Sequence, residues 1–142
     1  MGTSDPSASF QTYSLSGDPD ILACKEAVER LESFGLSPEN DKNLSGFVLY
    51  CLIEELDRRA VSVDASSLGA EYRITYSVRY AIEAPDGKTL VAPSWIRRSD
   101  SFLYDRQNLL GTHNVESTIR EELAANVADQ LVRVVSRVGS TL

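Results

Sequence analysis

Glu71-Tyr72-Arg73-Ile74-Thr75-Tyr76-Ser77-Val78-Arg79-Tyr80-Ala81-Ile82-Glu83 is the stretch that decides the fold. Tyr72, Ile74, Tyr76, Val78, Tyr80 and Ile82 share one parity, while Glu71, Arg73, Thr75, Ser77, Arg79 and Glu83 fall on the other. Side chains alternate across a strand, so this pattern predicts a long strand with one dry and one wet face. Pro85-Asp86-Gly87-Lys88 follows as a hairpin turn, and the next strand, from near Thr89, returns antiparallel. Pro93 removes a ladder donor there, and Arg97-Arg98-Ser99-Asp100 shifts the parity before Phe102 and Tyr104, which predicts an edge position or a bulge.

Upstream, Phe47 to Ile53 (FVLYCLI) is apolar at both parities and continues in extended form to Val63, ahead of a turn over 64–69. Both faces of that strand want cover. Phe10 to Leu15 reads as a first strand stopped by Ser16-Gly17. Asp18-Pro19 reads as the start of a helix from about Pro19 to Phe34, with Ile21, Cys24, Val28 and Leu31 as its stripe and Gly35 ending it. Residues 37–45 read as a loop. Asn114 reads as the N-cap of a second helix, with Ile119, Leu123, Val127, Leu131, Val134 and Val138 as its stripe and Gly139 closing it.

The order β-α-β-β-β-α predicts an α+β two-layer sandwich: a four-stranded, mostly antiparallel, mixed sheet with both helices on one face. The other face then lacks a layer, and the apolar surface of the second strand becomes available to a partner. Residues 1–9 read as a disordered tail or an appended junction, and residues 10–142 as one domain.

At 142 residues, 42% hydrophobic and 25% charged, the chain has an ordinary globular composition. Fourteen Lys and Arg against twenty-one Asp and Glu give a net charge of −7, which repels nucleic acid and anionic membranes at long range. An anionic ligand must therefore meet a local basic patch. With one His and two Cys, a closed zinc site is not available. No stretch approaches the ~20 apolar residues of a membrane span, and the first nine residues lack the charge and apolar core of a secretory signal.

His113 has no neighbouring nucleophile motif and reads as an exposed residue near a cap. Cys24 and Cys51 read as small core residues; a disulfide between them is open if their Cα atoms lie within about 7 Å. The adjacent acids Glu54-Glu55 and Glu121-Glu122 read as solvated positions. No cofactor motif is present. What remains is a set of arginines on or beside the sheet, namely Arg73, Arg79, Arg97, Arg98 and Arg106, whose planar forks suit phosphate or carboxylate.

The segment Gly69-Ala70-Glu71-Tyr72-Arg73-Ile74, then Arg98 to Tyr104 (RSDSFLY), Leu109-Leu110-Gly111, and a closing helix with Ala128-Asp129-Gln130-Leu131-Val132-Arg133 stand in a characteristic order. With Gly17-Asp18-Pro19 ahead of the first helix, this set resembles the lipopolysaccharide (LPS)-assembly lipoprotein family LptE from about Phe10 to Val138. The resemblance implies a non-enzymatic protein on the periplasmic face of the outer membrane, anchored by an N-terminal lipid, that plugs and supports the β-barrel LptD and binds LPS on its way to the surface. The family's Cys-Gly-Phe lipidation start is missing, so this chain reads as a soluble, trimmed form. The regions in which the family carries LPS-binding basic residues read here Asp64-Ala65-Ser66-Ser67 and Gly111-Thr112-His113, without Lys or Arg. Arg98 and His113 are the neighbours carried forward, so the LPS- or partner-binding set is Arg73, Arg79, Arg97, Arg98, Arg106 and His113. Two other classes compete: a small hydrolase or transferase using His113 with an acid, and an adaptor that adds a peptide strand to an open sheet edge.

Overall fold

The long alternating strand lies next to the edge of a mixed five-stranded sheet. In the computed structural model, residues 5–63, 69–105 and 108–142 are described. The elements are β1 (Thr12–Gly17), α1 (Leu22–Ser33), β2 (Ser37–Pro38), β3 (Val48–Val63), β4 (Gly69–Glu83), β5 (Thr89–Asp105) and α2 (Leu109–Ser140). The strand order is β2-β1-β3-β4-β5. β1 pairs in parallel with β2 and β3, while β3, β4 and β5 form an antiparallel meander. The α+β reading with two helices is correct; the count of four strands is not. The chain leaving α1 runs beside β1, where the Ser37 amide donates to the Gln11 carbonyl at 3.0 Å and the Glu39 amide to that of Tyr13 at 2.8 Å. Two residues are too few to show a period, and Pro38 is tolerated because β2 is an edge.

The dry parity of β4 is buried as predicted: Ile74, Tyr76, Val78, Tyr80 and Ile82 join one core with the stripes of both helices. From α1 that core takes Ala23, Cys24, Ala27 and Leu31; from α2 it takes Ile119, Leu123, Val127, Leu131 and Val135. Within the segment read as a tail, Pro6–Ala8 forms a 3-10 turn capped by Asp5, with Pro6 buried. Gly139 does not terminate α2, which runs on to Ser140; a Cβ there would stand 2.5 Å from the Cβ of Ser9, so glycine permits the N-terminal segment to lie against the helix.

Both helix starts differ from prediction. Asp18 accepts a hydrogen bond from the Asp20 amide at 2.9 Å, a local turn that uses up the side chain expected to cap α1. The helix begins at Leu22, and the sheet supplies the missing acceptors: Glu54 accepts from the Leu22 amide at 3.1 Å, and the Tyr76 hydroxyl from that of Ala23 at 3.2 Å. α2 begins at Leu109, where the Asn108 side chain accepts from the Gly111 amide at 3.1 Å. Leu109, Leu110 and Val115 are exposed, so its first turns carry no apolar stripe for the sequence to show. Asn114 and His113 are consequently inside the helix rather than ahead of it.

Cys24 and Cys51 form a disulfide with a Cα separation of 6.6 Å, which resolves the open alternative. It ties the first turn of α1 to β3. Gly17 ends β1 beside it with φ 90°, and a Cβ at that position would lie 2.1 Å from the Cys51 carbonyl oxygen. In β5 the register is continuous from Ser94 to Asp105, so the expected parity shift at 97–100 does not occur; the irregularities sit earlier, one at Pro93 between Val91 and Ser94 and one between Thr89 and Val91. Pro93 and the charges of Arg97, Arg98 and Asp100 blunt an edge of this length against pairing with another chain.

Candidate functional site

The wet parity of β4 builds the site. Residues paired directly across an antiparallel sheet point to the same face, so the register places rungs side by side. Glu55, Ser77 and Arg97 form one, Asp57, Thr75 and Ser99 the next, and Arg59, Arg73 and Ser101 a third. These side chains line a groove of about 490 Å³ on the sheet face opposite the core, with Ser101 just beyond it. Its floor is small and hydroxylic. Thr75 and Ser99 hydroxyls share a hydrogen bond at 2.8 Å, and Ser77 is only 4% exposed.

The charges of the groove are arranged by strand. β3 contributes Glu55 and Asp57 along one side, with Arg59 held 3.3 Å from Asp57. Arg73 and Arg97 stand on β4 and β5, and among the described residues neither has a carboxylate within ion-pair distance. Arg79 lies on the same face, one rung beyond, beside Trp95. Its Nε is buried without a hydrogen-bond partner among the described residues, and an unpaired buried donor is a costly group. The Arg97 guanidinium lies over the Trp95 ring, 4.8 Å from its centroid. Three guanidinium groups against two carboxylates make the groove a locally positive place on a chain of net charge −7.

Of the predicted set, Arg73, Arg79 and Arg97 thus share one face. Arg98 falls on the other face, paired with Tyr76, and its guanidinium donates to the Arg97 carbonyl at 2.8 Å. His113 is exposed on α2. Arg106 and the turn Asp64 to Ser67 lie outside the described residues. Among the described residues no three His, Cys, Asp or Glu side chains are grouped to hold a metal ion. No helix among them is long and apolar enough to cross a membrane.

Sequence reasoning missed Glu55, Asp57 and Arg59 as members of the groove. Their i, i+2 spacing was a signal, obscured because FVLYCLI carries no alternation and Leu52 is an extra, bulged residue opposite Cys51 and Ile53's partners. It also missed Arg58 on the core side. There the guanidinium lies 4.5 Å from the Tyr72 ring centroid, with Phe102 at 5.9 Å and Tyr104 at 5.8 Å, and 3.9 Å from Glu116 of α2. Glu54, read as solvated, is exposed and also accepts hydrogen bonds from Tyr76 and the start of α1. Burial and that neighbouring carboxylate push the Tyr76 phenol well above its ordinary value of 10. Burial, then the charge of Glu32, pushes Tyr13 up to about 12. Burial also raises Tyr80, with Arg137 opposing it.

Large apolar side chains also reach solvent. Leu52, Ile53 and Leu56 do so along β3, and Leu103, Leu109 and Leu110 where β5 leads into α2.

Comparison with known proteins gives a consistent result. The model of a family described as LptE, lipopolysaccharide-assembly, matches residues 24–135. Among solved structures, the chain is similar to the rare lipoprotein B from Shewanella oneidensis at 25% identity and TM-score 0.75, covering 92% of this chain and 95% of that one. The uncharacterized lipoprotein B from Nitrosomonas europaea gives 14% identity and TM-score 0.81, with coverage of 92% and 85%. A minor lipoprotein from Acinetobacter baumannii gives 20% identity and TM-score 0.71, with coverage of 90% and 92%. A search of curated proteins finds no match.

Proposed function

We propose, from the premise that this chain belongs to the LptE lipopolysaccharide-assembly family, that it plugs and supports the LptD barrel and binds LPS in transit to the cell surface. Its work is non-enzymatic. It resides on the periplasmic face of the outer membrane, held there by an N-terminal lipid. The observation that carries the reading is the one-sided sandwich. A layer of helices covers one sheet face, and the other presents a polar groove in which Arg73 and Arg97 have no carboxylate within ion-pair distance among the described residues. The Cys24–Cys51 bridge supports a periplasmic home, because disulfides persist in oxidising compartments.

The exposed leucines and Ile53 outside the groove supply apolar contact for a barrel wall. The groove, with Arg73, Arg79 and Arg97 around it, faces the lumen and meets the anionic ligand. Arg98, Arg106 and His113 are assigned to contact with LPS or the barrel, Arg98 from the opposite sheet face and His113 from α2. Co-expression with the tagged cognate barrel tests the reading: a stable one-to-one complex is expected, and free migration of both proteins would refute it.

A further inference from the structure

We infer that the open-face groove takes the phosphorylated saccharide portion of its ligand, not the acyl chains. The inference deepens the LPS reading above and rests on it. On its floor, Thr75, Ser77 and Ser99 offer hydroxyls and no deep apolar pocket. A protein partner wants an apolar or aromatic anchor buried in a pocket, and an acyl chain wants a dry wall; this groove has neither. A polyol matches it, since each sugar hydroxyl both donates and accepts, and hydroxyls and carboxylates line the groove together.

The charges sort the ligand further. Glu55 and Asp57 on the β3 side accept from sugar hydroxyls. Arg73 and Arg97 on the opposite side retain donors that no described carboxylate takes, and their forked geometry matches a phosphate. A neutral saccharide would leave both arginines unanswered, and a bare polyphosphate would meet the two carboxylates. A sugar bearing phosphate satisfies both sides. The volume of about 490 Å³ lies within the range of small-molecule sites.

Trp95 is the only tryptophan of the chain and lies under Arg97, so its emission reports occupancy directly. The full chain is titrated with three probes: intact LPS, the deacylated phosphorylated oligosaccharide prepared from it, and that oligosaccharide after phosphatase treatment. The deacylated probe is expected to bind saturably. Removal of its phosphates, or the R73Q/R97Q pair of substitutions, should weaken binding at least about tenfold. R133Q on α2, which removes an exposed pair with Asp129, should leave it unchanged, and circular dichroism verifies that each variant is folded. Equal binding by R73Q/R97Q, or binding of intact LPS without the deacylated probe, overturns the groove assignment and leaves the LPS reading standing. Failure to bind any of the three overturns both.

Discussion

Replacing Cys24 and Cys51 together with alanine removes a cross-link between residues separated by 27 positions. Closing a loop of that size takes roughly 3.5 kcal/mol of conformational freedom from the unfolded chain. Little else changes, because both sites are fully buried and alanine fills most of each. For a domain of this length, about 1 kcal/mol corresponds to roughly 3–4 °C, so Tm should fall by about 10 °C or slightly more. Calorimetry on the oxidised protein, the reduced protein and C24A/C51A checks this, and the last two should agree. With the bridge gone, the Glu54 and Tyr76 hydrogen bonds and the burial of Ala23 are left to hold the start of α1 to β3 and β4. Amide exchange should therefore speed up first in α1. A shift under about 1 kcal/mol in both samples would mean that these contacts already restrain the unfolded chain as much as the bridge does, and the entropic account would be wrong.

Other outcomes follow from the same contacts. Glu54→Gln should cost about 1–2 kcal/mol in denaturant midpoint, because Gln cannot hold Tyr76 and the helix start with a charged acceptor; a neutral result would contradict the capping role. The raised Tyr76, Tyr13 and Tyr80 phenols contribute stability that is fully present below the ordinary value of 10 and is lost as pH climbs from there toward their folded values. Alkaline unfolding should therefore begin near pH 10, and Tyr76→Phe should flatten the profile; ultraviolet titration of the phenols reads it. Gly17→Ala forces a side chain into positive φ and against the Cys51 carbonyl, and should destabilise by more than about 2 kcal/mol in urea unfolding. Arg58→Ala should cost about 1–2 kcal/mol through its loss from the Tyr72, Phe102 and Tyr104 rings, with Arg58→Lys recovering part.

The sheet was legible where burial imposes a strict period. The parity of 71–83 and the Pro85–Lys88 turn place β4 against β5, and the helix stripes place the core. What escaped the sequence depends on partners distant in the chain. The cap of α1 comes from Glu54 and Tyr76, β2 exists only because β1 lies beside it, and the early start of α2 has no apolar signature. The candidate site was half visible. Arg73 and Arg79 follow from the alternation of one strand, but joining them to Arg97 and setting Glu55 and Asp57 opposite requires the register of three strands. The expected shift at 97–100 would have scrambled that register, and the continuous pairing from Ser94 to Asp105 is what places Arg97 on the open face and Arg98 on the other.

The most direct test of an open sheet face that handles ligand is photo-crosslinking in cells that produce the protein together with LptD, the barrel proposed as its partner. A photoreactive residue at Ser99, in the groove, should capture LPS, whereas one at Glu121, exposed on α2, should not. Capture from Glu121 with none from Ser99 would assign the work to the helical side and contradict the account.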